Sequence, residues 1–256
     1  MALFQKLIFL LVLTVPVAAK TLVYFGTYTG SGSKGIYRSI LDEKTGELSD
    51  LVLAAELENP SFLVVSPDQK YLFAVSENGK FKGKEGGGVS SFAIGKDGGL
   101  TLISQVNSGG GAPCHISTDP QGKCLLVADY MGGSISSYQI AADGKLVSPA
   151  AGGFIQHEGQ GAQLPRQASP HAHSVNVDPS GKRAYVADLG LDKVLIYKLD
   201  AAAGTIAPND PPFLKLPDAT GPRHFSFHPS GKWAYTNLEM SLQVAALSHD
   251  PETGAL

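Results

Sequence analysis

An all-β fold of the β-propeller type is what this sequence predicts, on three observations. A unit of about 50 residues recurs along the chain. Each copy alternates apolar and polar residues between Gly, Pro and Asp punctuation, which is the period of strands. No stretch beyond residue 20 has a convincing helical period. Four strands per unit of this length make a propeller blade of antiparallel strands. A β-helix needs a much shorter repeat, and a sandwich does not repeat its sequence.

The elements follow in order. Lys6 closes a short polar start, and Leu7 to Val17 is almost wholly apolar. Val17-Ala18-Ala19 then supplies small residues, so residues 1–19 read as a secretory signal cleaved after Ala19. The apolar run is shorter than the ~20 residues that a bilayer core requires. The mature propeller domain, residues 20–256, is expected to be soluble, periplasmic or secreted, with no membrane contact. Thr21 to Thr27 reads as a strand that could tie a final blade, although its partner blade is not evident in the sequence. Gly35-Ile-Tyr-Arg-Ser-Ile-Leu41 is the next strand.

Four clear copies of the unit come next. They are Pro60 to Glu77, Pro113 to Asp129, His173 to Asp188 and Pro222 to Glu239, turning at Pro67, Pro120, Pro179 and Pro229. The separations of 53, 59 and 50 residues leave room for about five blades, the last cut at its third turn. Each copy is followed by a further strand, such as Val89 to Ile94, Ser134 to Ile140, Lys193 to Leu199 and Leu242 to Leu247. Turns and short apolar restarts then close the units, as in Asp97-Gly-Gly-Leu100 and Asp143-Gly-Lys-Leu146. Phe225, Trp233 and Tyr235 are expected to pack between blades. Asp119 and Asp178, and His228 in their place in the fourth copy, are expected to hold turn backbone.

Composition removes several function classes. With 43% hydrophobic residues there is ample core material, so the chain is not disordered. A net charge of -3 with no Lys/Arg run excludes a nucleic-acid partner. Two cysteines cannot staple a chain of this length. Cys114 and Cys124 lie on two arms of a hairpin whose expected register sets Cys124 opposite Ser117, so no disulfide is expected. Gly30-Ser-Gly-Ser-Lys-Gly35 fits GxGxxG, but a strand follows it where a dinucleotide site needs a helix N-terminus. There is no GxSxG elbow and no CxxC. His171 and His173 share a strand face, but two ligands are too few for a metal site. Neither metal nor cofactor is expected.

Hairpin geometry gathers the chemistry. The start of each copy's first strand and the end of its second lie at one end of the blade, and the Pro turns lie at the other. That first end carries Glu77, then His115 with Asp129, then His171 and His173 with Asp188, then Arg223 and His224 with Glu239. A ring of His, Arg and carboxylates around a channel mouth is a plausible site. His173, Arg223 and Glu239 are the candidate catalytic residues. His115, His171, His224 and Asp188 are candidate substrate contacts, although Asp129 and Asp188 fit a structural role as well.

Tyr24-Phe-Gly-Thr-Tyr-Thr-Gly30, Pro170-His-Ala-His-Ser-Val175 and Gly221-Pro-Arg-His-Phe-Ser-Phe-His-Pro229 together resemble the lactonase family of seven-bladed propellers. That family includes bacterial 6-phosphogluconolactonase and fungal carboxymuconate cyclase. The resemblance covers nearly all of residues 21–256 and implies about two further blades, so a chain truncated at its C-terminus is expected. The cyclase is similar in having a proposed site of one His, two Arg and one Glu. The resemblance sets Arg223, Glu239 and His173 on three of these, with the second Arg expected beyond Leu256. The implied activity is hydrolysis of a sugar lactone, with 6-phosphogluconolactone as substrate. His173 or Glu239 would be the base, and Arg223 would bind phosphate or the oxyanion. A cyclase-type reaction on a muconate-like diacid and a non-catalytic exported binding propeller are the alternatives.

Overall fold

Among the described residues, strand periodicity builds five antiparallel blade sheets in chain order and one separate two-stranded hairpin. A computed structural model describes residues 21–148 and 151–256, so the expected signal segment lies outside the described residues. The first sheet holds β1 (Thr21–Phe25), β2 (Gly35–Leu41) and β3 (Leu48–Glu56). The second holds β4 (Leu63–Val65) and β5 (Tyr71–Ser76). A small hairpin, β6 (Lys80–Phe81) with β7 (Lys84–Glu85), precedes its outer strands β8 (Gly88–Ile94) and β9 (Leu100–Asn107). The third holds β10 (Pro113–Thr118), β11 (Cys124–Asp129), β12 (Ser134–Ile140) and β13 (Leu146–Val147), with β14 (Phe154–Gln156) also pairing with β12. The fourth holds β15 (Ala172–Val177), β16 (Arg183–Asp188), β17 (Lys193–Asp200) and β18 (Thr205–Lys215). The fifth holds β19 (Pro222–Phe227), β20 (Trp233–Leu238) and β21 (Gln243–Ser248). These sheets are the blades expected from the repeats, with three strands rather than four in the first and fifth among the described residues. Within the segment Thr21 to Thr27, read as a candidate closing strand, β1 pairs with β2 in the three-stranded first sheet.

Successive side chains of a strand point to opposite faces. The second strands of the second, third and fourth sheets therefore each feed two cores. Leu72 and Ala74 pack toward the first sheet with Ile36, while Phe73 and Val75 pack toward the third with Ile116, Leu125 and Val127. Leu126 and Ala128 join Val175, Ala184 and Val186 between the third and fourth sheets. Tyr185 and Ala187 join Phe225, Ala234 and Leu238 between the fourth and fifth. The second strands β5, β11 and β16 are apolar on both faces because both faces are covered.

The turns behave as the sequence indicates. The buried Asp119 carboxylate accepts from the backbone N–H of Gln121, Lys123 and Cys124, and Asp178 accepts from Lys182 and Arg183. His228 Nδ1 takes the same place, accepting from Ser230 N at 3.1 Å. Two expectations are corrected. The β10–β11 register pairs Ser117 with Leu126, not with Cys124, because Asp119 N donates to Cys124 O and closes the turn two residues tighter. Both cysteines are free thiols. Phe225 packs between blades as expected, but Trp233 is 51% exposed and Tyr235 40%. They lie on the face of β20 that no other sheet covers among the described residues.

Candidate active site

The innermost strands β4, β10, β15 and β19 bring their starts together, and each of the last three carries a β-bulge there. The register shifts between Pro113 and His115, between Ala172 and Ser174, and between Pro222 and Phe225. A bulge adds unpaired residues to one strand and re-aims their side chains. The residues so released are Cys114, His173, and Arg223 with His224. All four line one cavity of about 510 Å³, in the range of small-molecule sites. Tyr28, Ser61, Phe62, Glu77, Tyr130, Arg166 and Glu239 complete its wall.

Rings close the cavity below. Phe62 lies 4.3 Å from His115 and 6.2 Å from His224 between ring centroids. His224 lies 5.9 Å from His115 and 5.1 Å from His173. The mouth is therefore a cup floored by aromatic and imidazole rings.

The strongest polar feature is a carboxylate held between two guanidiniums. Arg166 Nη2 donates to Glu239 Oε1 at 2.9 Å, and Arg223 Nε donates to Oε2 at 2.9 Å. Arg223 Nη1 also donates to His224 Nε2 at 3.0 Å, and the Arg166 guanidinium lies 5.5 Å over the Tyr130 ring. Charge-assisted pairs of this kind fix side-chain direction as well as charge. On the other side of the cup Tyr28 Oη donates to Glu77 Oε2 at 2.7 Å.

Burial and neighbouring charge keep the imidazoles neutral. Burial first, then Arg223 and His224, lowers the His173 pKa to about 4. Burial, then His224 and His173, lowers that of His115 to about 3. His224 is lowered by burial and by Arg223. The Cys114 thiol is pushed up, by burial before Glu77 and Asp129, and stays protonated; its Sγ donates to His173 O at 3.3 Å. His173 Nδ1 is buried with no partner among the described residues, which leaves Nε2 as its nitrogen toward the cup.

The sequence-predicted residues divide by position. His173, Arg223, Glu239 and His224 come together in the cup. His115 sits beneath it, and its Nδ1 accepts from Val175 N at 3.4 Å. His171 stands aside, with Nδ1 3.0 Å from Tyr130 O and its ring stacked on Tyr130. Asp188 does not reach the cavity. It is fully buried, with Oδ2 2.7 Å from His157 Nδ1 and Oδ1 accepting from His171 N and Leu191 N. The reason is register. Pro113 pairs with Asp129, Ala172 with Asp188 and Pro222 with Leu238. Asp129 and Asp188 therefore match Leu238, one residue short of Glu239, and a one-residue step turns a strand side chain to the other face.

Sequence reasoning missed Arg166 and the residue that seats it. Arg166 lies in the loop before β15, outside any repeated unit. Its neighbour Gln167 is buried and donates to Leu189 O at 2.7 Å and Asp192 Oδ1 at 2.8 Å. Asp192 Oδ1 also accepts from Thr220 N and Gly221 N, and Oδ2 from Ala219 N. One buried carboxylate thus anchors both segments that carry the arginines. Gly190 lets the loop close, because a Cβ there would meet Ser169 O at 2.0 Å. Among the described residues no group of three or more His, Cys, Asp or Glu is placed to hold a metal, and no helix is long and apolar enough to cross a membrane.

Known proteins share this arrangement of sheets. The chain is 35% identical to the Bacillus subtilis protein named 6-phosphogluconolactonase, over 92% of its own length. It spans 64% of the length of that relative. Among solved structures, a Bacteroides fragilis protein superposes with a TM-score of 0.86 at 33% identity, covering 95% of this chain and 67% of that one. The Pseudomonas aeruginosa periplasmic gluconolactonase superposes with a TM-score of 0.82 at 35% identity, covering 93% of this chain and 66% of that one. Residues 22–256 match the family profile described as lactonase, seven-bladed β-propeller, and the chain belongs to that family.

Proposed function

We propose that this chain carries the catalytic cup of a lactonase that opens a sugar lactone, with 6-phosphogluconolactone as the first substrate to test. One observation carries the reading: a neutral, buried His173 faces a pair of guanidiniums fixed by one carboxylate. Ester hydrolysis needs a base for water and cationic donors for the tetrahedral oxyanion. His173 Nε2 takes a proton as the water oxygen bonds to the lactone carbonyl carbon. Arg223 and Arg166 stabilise the oxyanion. The ring C–O bond then breaks, and the leaving ring oxygen takes the proton back from His173, giving the hydroxy acid. Glu239 already accepts from both arginines, so its role is to position them while His173 serves as the base. No cofactor enters this scheme.

The compartment bears on the substrate. An exported chain meets unphosphorylated lactones, and the Pseudomonas relative is named a periplasmic gluconolactonase. Glucono-1,5-lactone is therefore the second substrate to test, in a periplasmic or secreted protein. The test is hydrolysis of each lactone above its spontaneous rate. Removing one oxyanion donor costs about 10²–10³-fold in kcat, so Arg223→Ala should lose that much turnover while circular dichroism stays unchanged. Wild-type turnover in the Arg223→Ala and His173→Ala variants would refute the assignment.

A further inference from the structure

The cup has two unlike walls, and only one is used by the chemistry above. The Arg166–Glu239–Arg223 clamp comes from the fifth sheet and the loop before β15. The other wall comes from the first two sheets and carries Glu77, Tyr28 and Ser61. Cys114 lies between the walls, close enough to feel both Glu77 and Arg223. We propose that the Glu77–Tyr28 wall is a hydroxyl-recognition subsite, which selects lactones and acids bearing a polyol chain over unhydroxylated ones of the same length.

The geometry is built rather than incidental. Asn59 holds the two segments in place: its Oδ1 accepts from Thr29 N at 2.9 Å and Thr29 Oγ1 at 3.0 Å, and its Nδ2 donates to Asn78 Oδ1 at 2.7 Å. Tyr28 and Glu77 are the chain neighbours of Thr29 and Asn78. Tyr28 therefore meets Glu77 across a fixed gap, although its side chain is 61% exposed. The phenol stays protonated, its pKa pushed up to about 12 by burial and by Glu77. Glu77 Oε2 accepts the phenol's hydrogen bond, and Oε1 remains open to a donor from the cup.

The wall's chemistry selects its ligand. The Glu77 carboxylate only accepts, the Tyr28 hydroxyl, which already donates to Glu77, is left to accept, and the Ser61 hydroxyl can do both. A polyol chain both donates and accepts, so it satisfies all three groups at once. An unhydroxylated chain gives them no partner in place of the water that it displaces. A second carboxylate, as on a muconate-like diacid, would meet Glu77 as a like charge. An ammonium could pair with Glu77 but could not donate to and accept from the hydroxyls in turn. The ligand's anionic end lies at the arginines, and this orientation rests on the lactonase reading.

Binding to the full chain tests the subsite without requiring turnover. The probes are D-gluconate, hexanoate and 6-aminohexanoate, titrated by calorimetry. Gluconate should bind at least about 10-fold more tightly than either of the others, the value of one or two good polar contacts. Glu77→Gln should erase most of that ratio while leaving hexanoate affinity unchanged. Tyr28→Phe, which removes one hydroxyl from an exposed ring, should reduce the ratio in the same direction. Equal affinities, a tighter 6-aminohexanoate, or a ratio that survives Glu77→Gln would overturn the proposal. Absence of lactone turnover alongside a Glu77-dependent gluconate preference would sink the lactonase reading and leave the subsite standing.

Discussion

His173 carries the sharpest consequence at the scale of single residues. A base must be unprotonated to accept, and burial with Arg223 and His224 nearby holds this imidazole's pKa near 4. The acid limb of kcat/KM should therefore have its midpoint near pH 4 and be flat through 6.5, the range where an unperturbed histidine titrates. A pH–rate profile corrected for spontaneous hydrolysis reads this directly, and a midpoint near 6.5 would mean that a solvent-exposed group is the base. Legibility at this scale followed repetition. His173, Arg223 and Glu239 sit at matching places in repeated units and could be aligned by eye. Arg166 sits in an unrepeated loop with no motif, so only the fold reveals that it meets Glu239. Asp188 was misplaced by one residue, because neighbouring ionisable residues at a strand end look equivalent until pairing fixes the face.

Elements decide whether these residues meet. The repeats, strands, turn ends and chain-order sheets were all readable from periodicity and Pro-Gly punctuation. The bulges that release Cys114, His173 and Arg223 were not, because a bulge is defined by its partner strand. Asp192 was equally invisible, since its hydrogen-bond partners are backbone groups 27–29 residues ahead and Gln167 in an earlier loop, with Lys215 Nζ 3.7 Å from Oδ2. It seats both arginines, so its substitution should act at a distance. Asp192→Asn keeps size and tolerates the left-handed backbone at φ 51, but turns one acceptor oxygen into a donor facing Ala219 N–H. Leaving such buried groups mispaired costs about 1–3 kcal/mol, readable as a lower urea midpoint. kcat/KM should fall with it, by about 10-fold or more, as the arginines leave their fixed positions. A destabilised variant with full activity would show that the clamp does not depend on this anchor.

At the scale of the whole molecule, the blades stack by covering both faces of the second strands β5, β11 and β16, and the cup sits where their inner strands converge. That convergence buries ionisable groups, which ties stability to pH. His115 and His173 titrate near 3 and 4 in the fold, below the 6.5 of the unfolded chain. Their contribution is intact above pH 6.5 and is lost as pH falls toward 4, because the unfolded chain takes up protons that the fold refuses. Asp129 runs the other way. Burial, with Oδ1 unpartnered among the described residues, raises its pKa to about 7 from 3.8. Its contribution is full below 3.8 and lost as pH rises through 7. Two imidazoles outweigh one carboxyl, and the lowered His224 adds to their side. Acidification from pH 7.5 to 4.5 should therefore cost about 2 kcal/mol of stability, seen as a lower urea midpoint at the acid end. Asp129→Asn removes the opposing group and should steepen this loss. A midpoint that rises on acidification would mean that the imidazoles of the cup floor are not held neutral by the fold.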